Sequence, residues 1–336
     1  MKTCYLHIGL HKTASSSFQQ TCANNIKHLS QEHLHYPIFS CTTANPARLK
    51  INNHSVPLRS LYDHKPSKYH INRRWKIKDI ELTNYLYQMQ WDQVLDSDSS
   101  IILSGEGISL LPELALERLI AAIVSNGFAI QAIALVRAPL GYAHSMAQPL
   151  IRGGQYLDVV GFGDLRCPMT MTRLAIPDGC REISKLLSVF GGTIRFTPFY
   201  QACQHPMGPV AYLLEEFCGC KSTRSYSFKQ AQESKSNLWV RYQNQLNARW
   251  PRFDRKKQLN PDYIQLPDHY MSSGKFRLTR SEISLLQSQI DAANINIIDL
   301  LGDQFVKAKT EAIEDLTSQD VLDFMTGLAK IIANYD

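Results

Sequence analysis

The sequence predicts an α/β fold: a mostly parallel central sheet flanked by helices on both faces. Short apolar runs rich in β-branched residues alternate along the chain with segments of helical periodicity, which is the pattern of a parallel sheet covered on both sides. An apolar fraction of 44% with 20% charged residues is an ordinary globular balance and excludes disordered and fibrous classes. No internal repeat or low-complexity segment interrupts the pattern. At about 150 residues per domain, 336 residues suggest two domains, although large α/β enzymes often fold as one longer unit.

The elements follow in order. Thr3 to Ile8 reads as a strand ending at Gly9. From Ser15 the spacing turns helical through Phe18, Cys22, Ile26 and Leu29, with Ser16 and Gln19 as a capping box. Residues 40–79 are polar and irregular, holding Pro46, Pro57 and Pro66, and read as an insertion. Leu82, Leu86 and Met89 mark one face of the next helix. SIILS (100–104) is a buried strand ending at Gly105, Glu106 and Gly107. Pro112 opens a helix whose Leu116, Leu119, Ile120, Ile123 and Val124 run to an Asn126-Gly127 C-cap.

Phe128 to Val136 is the longest strand candidate, stopped by Arg137 and Pro139. A further strand is expected over 193–197, and helices around 207–218, 237–249, 280–292 and 295–308. Val321, Phe324, Met325, Leu328 and Ile332 describe a final amphipathic helix. The expected division is therefore an α/β domain over 1–310 and a helical C-terminal extension over 311–336.

The net charge of +6 suits an anionic ligand but falls short of a nucleic-acid-binding footprint, so no nucleic-acid partner is expected. The most apolar stretch, Leu116 to Val136, is broken by Arg118, Ser125, Asn126, Gly127 and Gln131, so no transmembrane segment is expected. The opening MKTCYLHIGLHKT places histidines and a lysine where a signal peptide needs an apolar core, and a cytoplasmic location is expected. Eight cysteines without a CxxC pair read as reduced, mostly buried thiols. The histidines show no metal-ligand spacing, and no metal is expected.

Three loops at predicted strand ends carry unusual residues, and ligands of open parallel sheets bind beyond those ends. In the first, Gly9-Leu10-His11-Lys12-Thr13-Ala14-Ser15-Ser16, amides at a helix start combine with a lysine and hydroxyls to make an anion cradle. It lacks the GxxxxGK[ST] order of a Walker A loop, and its bland alternative is an ordinary turn with serine caps. The second is Val136-Arg137-Ala138-Pro139 with Ser145 eight residues after the arginine, a planar fork and a hydroxyl suited to phosphate. Taken alone, a surface arginine and a helix serine are the better explanation of it. The third is Glu106 between two glycines, a candidate general base or a structural carboxylate.

Together these motifs resemble the sulfotransferase superfamily, whose donor is 3′-phosphoadenosine 5′-phosphosulfate (PAPS). GLHKTASSSFQ is similar to the 5′-phosphosulfate loop in the HKTGTTS form common in bacterial carbohydrate sulfotransferases, and LVRAPLGYAHS is similar to the 3′-phosphate motif. Glu106 falls where several members place a base, and RFTPFY (195–200) and QESKSNLWVRYQNQLN (232–247) are weaker likenesses. Ala14 stands where the family usually has glycine; if that position needs positive φ, its Cβ costs about 1 kcal/mol or more.

The resemblance covers roughly residues 3–310 and implies a P-loop-NTPase-like sulfotransferase fold. It implies that His11, Lys12, Thr13, Ala14, Ser15 and Ser16 hold the donor's 5′-phosphate and that Arg137 and Ser145 grip its 3′-phosphate. Lys12 would neutralise the leaving oxygen and Glu106 would take the acceptor's proton, with His11, His54 and His144 as rival bases and no metal required.

The implied acceptor is a saccharide, part of a glycan or glycolipid. Lys65, Lys68, Arg73, Arg74, Lys76 and Lys78, interleaved with Tyr69, His70 and Trp75, suggest that it is acidic, with Arg73, Arg74 and Trp75 as candidate contacts; a solvated basic loop between core elements is the equally weighted alternative. Two other functions remain open at this point. A P-loop kinase or nucleotidase would use Glu106 on magnesium and require ATP, and a polyanion-binding protein would use 65–78 without catalysis.

Overall fold

A computed structural model describes residues 2–42, 48–69, 71–72, 75, 77, 79–161, 174–221, 223–229, 234–253, 258–267, 274–307 and 312–333. The chain divides into two compact units. The first comprises Met1–Arg137, Gly179–Ala231 and Leu300–Phe305; the second comprises Ala138–Asp178, Gln232–Asp299 and Val306–Asp336.

The first unit is the α/β part. Its central sheet has five strands in the order β2-β5-β1-β6-β7, all parallel: β1 (Lys2–Ile8), β2 (Leu34–His35), β5 (Ser100–Gly105), β6 (Phe128–Val136) and β7 (Ile194–Pro198). A two-stranded antiparallel hairpin, β3 (Phe39–Thr42) and β4 (Arg48–Ile51), stands apart from it. Its helices include α1 (Ser15–Asn24), α2 (Ile26–Gln31), α3 (Ser55–Tyr62), α4 (Ile80–Leu95) and α5 (Glu113–Ser125).

Strand side chains alternate between faces, and each face has its own core. Cys4, Leu6, Ile8, Ile101 and Leu103 pack with Trp91 of α4 and Leu116 and Leu119 of α5. Ile102, Ile133 and Leu135 pack on the other side with Phe18 and Cys22 of α1. The chain therefore leaves β1 toward one face and leaves the neighbouring β5 toward the other. Divergence of this kind opens a crevice at the carboxyl ends of the two strands, the usual ligand position in such sheets.

The second unit is built from helices, among them α6 (Pro139–Arg152), α8 (Asn237–Arg249), α9 (Gln287–Leu301) and α10 (Ser318–Ala333), while α7 (Cys180–Phe190) returns to the first. Its core joins Ala143, Ala147 and Ile151 of α6 to Trp239 and Val240 of α8 and Ile290 of α9. Arg241 of α8 is fully buried and paired with Glu282, which closes a capping box with Thr279.

Several expectations need correction. The Ser16/Gln19 capping box does not form: Ala14 is the N-cap, and no side chain caps α1. Gln19 is buried with its amide 3.4 Å from the Ser104 carbonyl. Helix α4 buries Thr83, Tyr87, Trp91, Val94 and Leu95, not Leu82 and Met89, which are 54% and 46% exposed. Two aromatic rings carry more apolar area than the aliphatic stripe, so they take the inner face. The span 40–79 is not irregular throughout, since it contains the hairpin and α3. Pro57 lies in the first turn of α3, where a missing N–H costs no helical bond. The helices expected over 280–292 and 295–308 are instead a short turn at Arg280–Ser284 and the continuous α9.

Candidate functional site

The carboxyl ends of β1 and β5 are tied together where the ladder ends. Ile8 pairs with Gly105, and the Gly9 N–H donates to the Gly105 carbonyl at 3.2 Å. A Cβ on Gly9 would stand 2.3 Å from Ser15 Oγ and 3.0 Å from Glu106 Cγ. Only glycine fits there, and its absent side chain lets the helix start and the candidate base flank one backbone atom.

The loop between β1 and α1 turns through two left-handed residues that carry a Cβ, Lys12 (φ 65°) and Ala14 (φ 64°). Thr13 is buried, and its hydroxyl donates to the Leu10 carbonyl at 2.6 Å. Ser15 is also buried, and its Oγ has no hydrogen-bond partner among the described residues. An orphaned buried hydroxyl at a helix start without a side-chain cap fits a bound anion oxygen. Ser16 follows in the first turn, half-buried.

Left-handed backbone costs a residue with a Cβ about 1–2 kcal/mol. Glycine returns about 0.4–1 kcal/mol of that through the unfolded chain. Ala14→Gly is therefore expected to stabilise the first unit by up to about 1 kcal/mol. Urea unfolding that shows a loss of about 0.4–1 kcal/mol, the unfolded-chain term alone, would show that no strain resides at Ala14.

Arg137 directly follows β6, on the other side of β1. Its Nη1 donates to the Lys12 carbonyl at 2.6 Å, and its guanidinium lies 4.8 Å from the Phe199 ring centre. Burial lowers the pKa of this arginine, with an opposing contribution from Cys203. Glu106 begins the turn after β5, and burial raises its pKa, opposed by the nearby charges of His11 and Lys12. Three predicted residues from three separate loops, Lys12, Glu106 and Arg137, thus gather in the first unit with His11 beside them. Ser145 lies on α6 in the second unit, where its hydroxyl donates to the Tyr142 carbonyl at 3.1 Å.

Two of the rival histidines have other roles. His54 Nδ1 accepts the Ser104 N–H at 2.8 Å and its Nε2 donates to the Pro37 carbonyl at 2.7 Å, so both nitrogens are engaged. Burial brings its pKa down to about 4. His144, in the second unit, accepts the Leu278 N–H on Nδ1 at 2.8 Å.

The cationic segment is only partly described. Arg73, Arg74, His70, Lys76 and Lys78 lie outside the described residues. Trp75 is half-buried against the first core, and Tyr69 is buried with the Arg59 guanidinium 4.8 Å from its ring centre. Both aromatics are thus taken up at least partly by the core.

Sequence reasoning missed Lys185 and the structural part of the late motif. Lys185 Nζ donates to the carbonyls of Ser109 and Leu111 and so anchors the turn after Glu106. The polar residues of α8 serve the backbone: Asn244 and Asn247 donate to carbonyls between Ile151 and Val160, and Gln243 bonds Ile264 and Leu266. A polar yet buried helix face was the available signal, but burial is a tertiary property. No helix among the described residues is long and apolar enough to cross a membrane. No family model, curated protein or solved structure matches the chain.

Proposed function

We propose that this chain is a sulfotransferase that moves a sulfuryl group from PAPS to a hydroxyl of a saccharide acceptor. The observation that carries the reading is the bond from the Arg137 guanidinium to the Lys12 carbonyl. It joins the two motifs that most specifically resemble the superfamily at neighbouring strand ends. The orphaned Ser15 hydroxyl and the adjacent Glu106 carboxyl support the same reading.

In this mechanism the loop around Thr13 to Ser16 holds the donor's 5′-phosphate, and Arg137 holds its 3′-phosphate. Ser145 joins the donor set on spacing and resemblance alone. The acceptor oxygen forms a bond to sulfur as the bond from sulfur to the 5′-phosphate oxygen breaks. Glu106 takes the proton of the acceptor hydroxyl, and the Lys12 ammonium offsets the charge left on the departing phosphate oxygen. The cations over 65–78 favour an acidic acceptor such as a carboxylated or already sulfated glycan.

Adenosine 3′,5′-bisphosphate, the product of the donor, is the direct probe. Arg137→Ala is expected to weaken its binding by about 1.5–3 kcal/mol, the usual range for a charge-assisted hydrogen bond. Calorimetry showing the same affinity in this variant would overturn the donor assignment. Transfer assays with PAPS in EDTA, and with ATP and magnesium, complete the test: phosphoryl transfer that needs magnesium would make the enzyme a kinase.

A further inference from the structure

We propose that His54 and Ser55, at the start of α3, are positioning residues that hold the backbone on both sides of Glu106, a role that rests on reading Glu106 as the base. The need for them follows from the sheet. Strand β2 pairs with β5 only at Ser100 and Ile101, so the outer edge of β5 has lost its strand neighbour before the chain reaches Glu106. The N–H and C=O of one strand residue point to the same side, and both groups of Ser104 turn to that edge. Buried, they need partners.

His54 supplies both. Its Nδ1 accepts the Ser104 N–H at 2.8 Å, and its own N–H donates to the Ser104 carbonyl at 3.0 Å. Ser55 continues the same edge, its Oγ accepting the Gly107 N–H at 2.7 Å. On the inner side the Gly9 N–H holds the Gly105 carbonyl. Glu106 is therefore bracketed by bonds at Ser104, Gly105 and Gly107.

The dipeptide also accounts for the two glycines. A Cβ on Gly105 would lie 2.6 Å from the Ser55 nitrogen, and one on Gly107 would lie 2.9 Å from Arg59 Cδ and 3.1 Å from Ser55 Cβ. The orientation of the imidazole is set from behind, where Nε2 donates to the Pro37 carbonyl and the Tyr36 ring packs 4.6 Å away, centre to centre. A donor on one side and an acceptor on the other select the neutral ring with its proton on Nε2.

The two ring nitrogens allow a test that separates positioning from general support. Asparagine at 54 can present an acceptor where Nδ1 stands but cannot reach Pro37. Glutamine can reach Pro37 but gives up the Ser104 contact. His54→Gln is expected to lower kcat for sulfuryl transfer by about 10- to 100-fold, because small misplacements of a reacting group have effects of that size. Its dissociation constant for adenosine 3′,5′-bisphosphate should stay within about twofold of wild type. His54→Asn should restore most of kcat although it loses the Pro37 bond. Ser55→Ala should lower kcat in the same direction as His54→Gln.

Equal losses in the Asn and Gln variants, or full activity in both, would overturn the proposal. If the wild-type protein transfers no sulfuryl group, the functional reading fails separately. The Glu106 carboxyl, which faces His11, Lys12 and Tyr69, can then be followed by carbon NMR across pH. A midpoint moved by about 0.5 pH unit or more in His54→Gln and restored in His54→Asn supports positioning. The same midpoint in all three proteins refutes it.

Discussion

Glu106→Gln is expected to lower kcat by about 10²- to 10⁴-fold, the range by which general acid–base catalysis accelerates reactions. The substitution keeps the shape of the side chain against Gly9 but removes its ability to take a proton. Donor affinity should not change, because the proposed reading assigns the phosphates to the loop before α1 and to Arg137, not to Glu106. On the proposed reading the wild-type protein should also lose activity on the acid side with a midpoint above the ordinary glutamate value of 4.5, since burial outweighs the attraction of His11 and Lys12 for the ionised form. That acid limb should disappear in the variant. The check is kcat against pH for both proteins, with calorimetry of adenosine 3′,5′-bisphosphate alongside. Normal turnover in Glu106→Gln would remove the carboxylate from the chemistry and make His11 the next residue to replace.

The second large effect is on stability in mild acid. His7 lies inside β1 with no exposed surface, its Nδ1 2.9 Å from Ser104 Oγ, and burial brings its pKa down to about 3. His54 is buried as fully, with its pKa brought down to about 4. Both are neutral in the folded chain, whereas an unfolded histidine takes up a proton near pH 6.5. Their contribution is therefore complete above pH 6.5 and is lost progressively as pH falls toward the folded values.

The slope is about 1.4 kcal/mol per pH unit for each histidine, so by pH 4 each removes roughly 3 kcal/mol. Set against a total of about 5–15 kcal/mol for an ordinary domain, that is enough to bring on acid unfolding. Glu106 acts with the opposite sign, because its raised pKa stabilises the folded state below the unfolded value and loses that contribution as pH rises. Urea unfolding of the Glu106→Gln variant between pH 7 and pH 5 isolates the histidines, since ordinary carboxylates have hardly begun to titrate there. His7→Gln should reduce the slope by about one proton. Stability that stays flat from pH 6.5 to pH 5 would contradict the buried neutral state of both rings.

Much of the first unit was legible along the chain. β6 occupies the run from Phe128 to Val136, α8 spans 237–249 as expected, and Pro112 with Asn126-Gly127 bounded α5 to within a residue. Such elements declare themselves through local periodicity and end signals, which need no partner elsewhere in the chain. The loops carrying Lys12, Arg137 and Glu106 were legible for a related reason: each follows directly on a strand, and the carboxyl ends of parallel strands share one edge of the sheet.

Other features depended on which surfaces meet. The choice between Leu82 with Met89 and Tyr87 with Trp91 as the inner face of α4 turns on what α3 and β3, which pack against that helix, present to it, and periodicity does not encode that. Nor does the chain reveal that β2 ends early, leaving an edge that His54 must complete across 50 residues of sequence. What the sequence determined by itself is the α/β class, the main strands and helices, and the residue types at the strand ends. What only the tertiary structure decided is that Arg137 reaches the Lys12 carbonyl, that Ala14 adopts positive φ, and that the dipeptide His54-Ser55 brackets Glu106. The physical reason is that burial and unsatisfied backbone groups come into being only when distant segments pack together, and those demands assign each polar side chain its task.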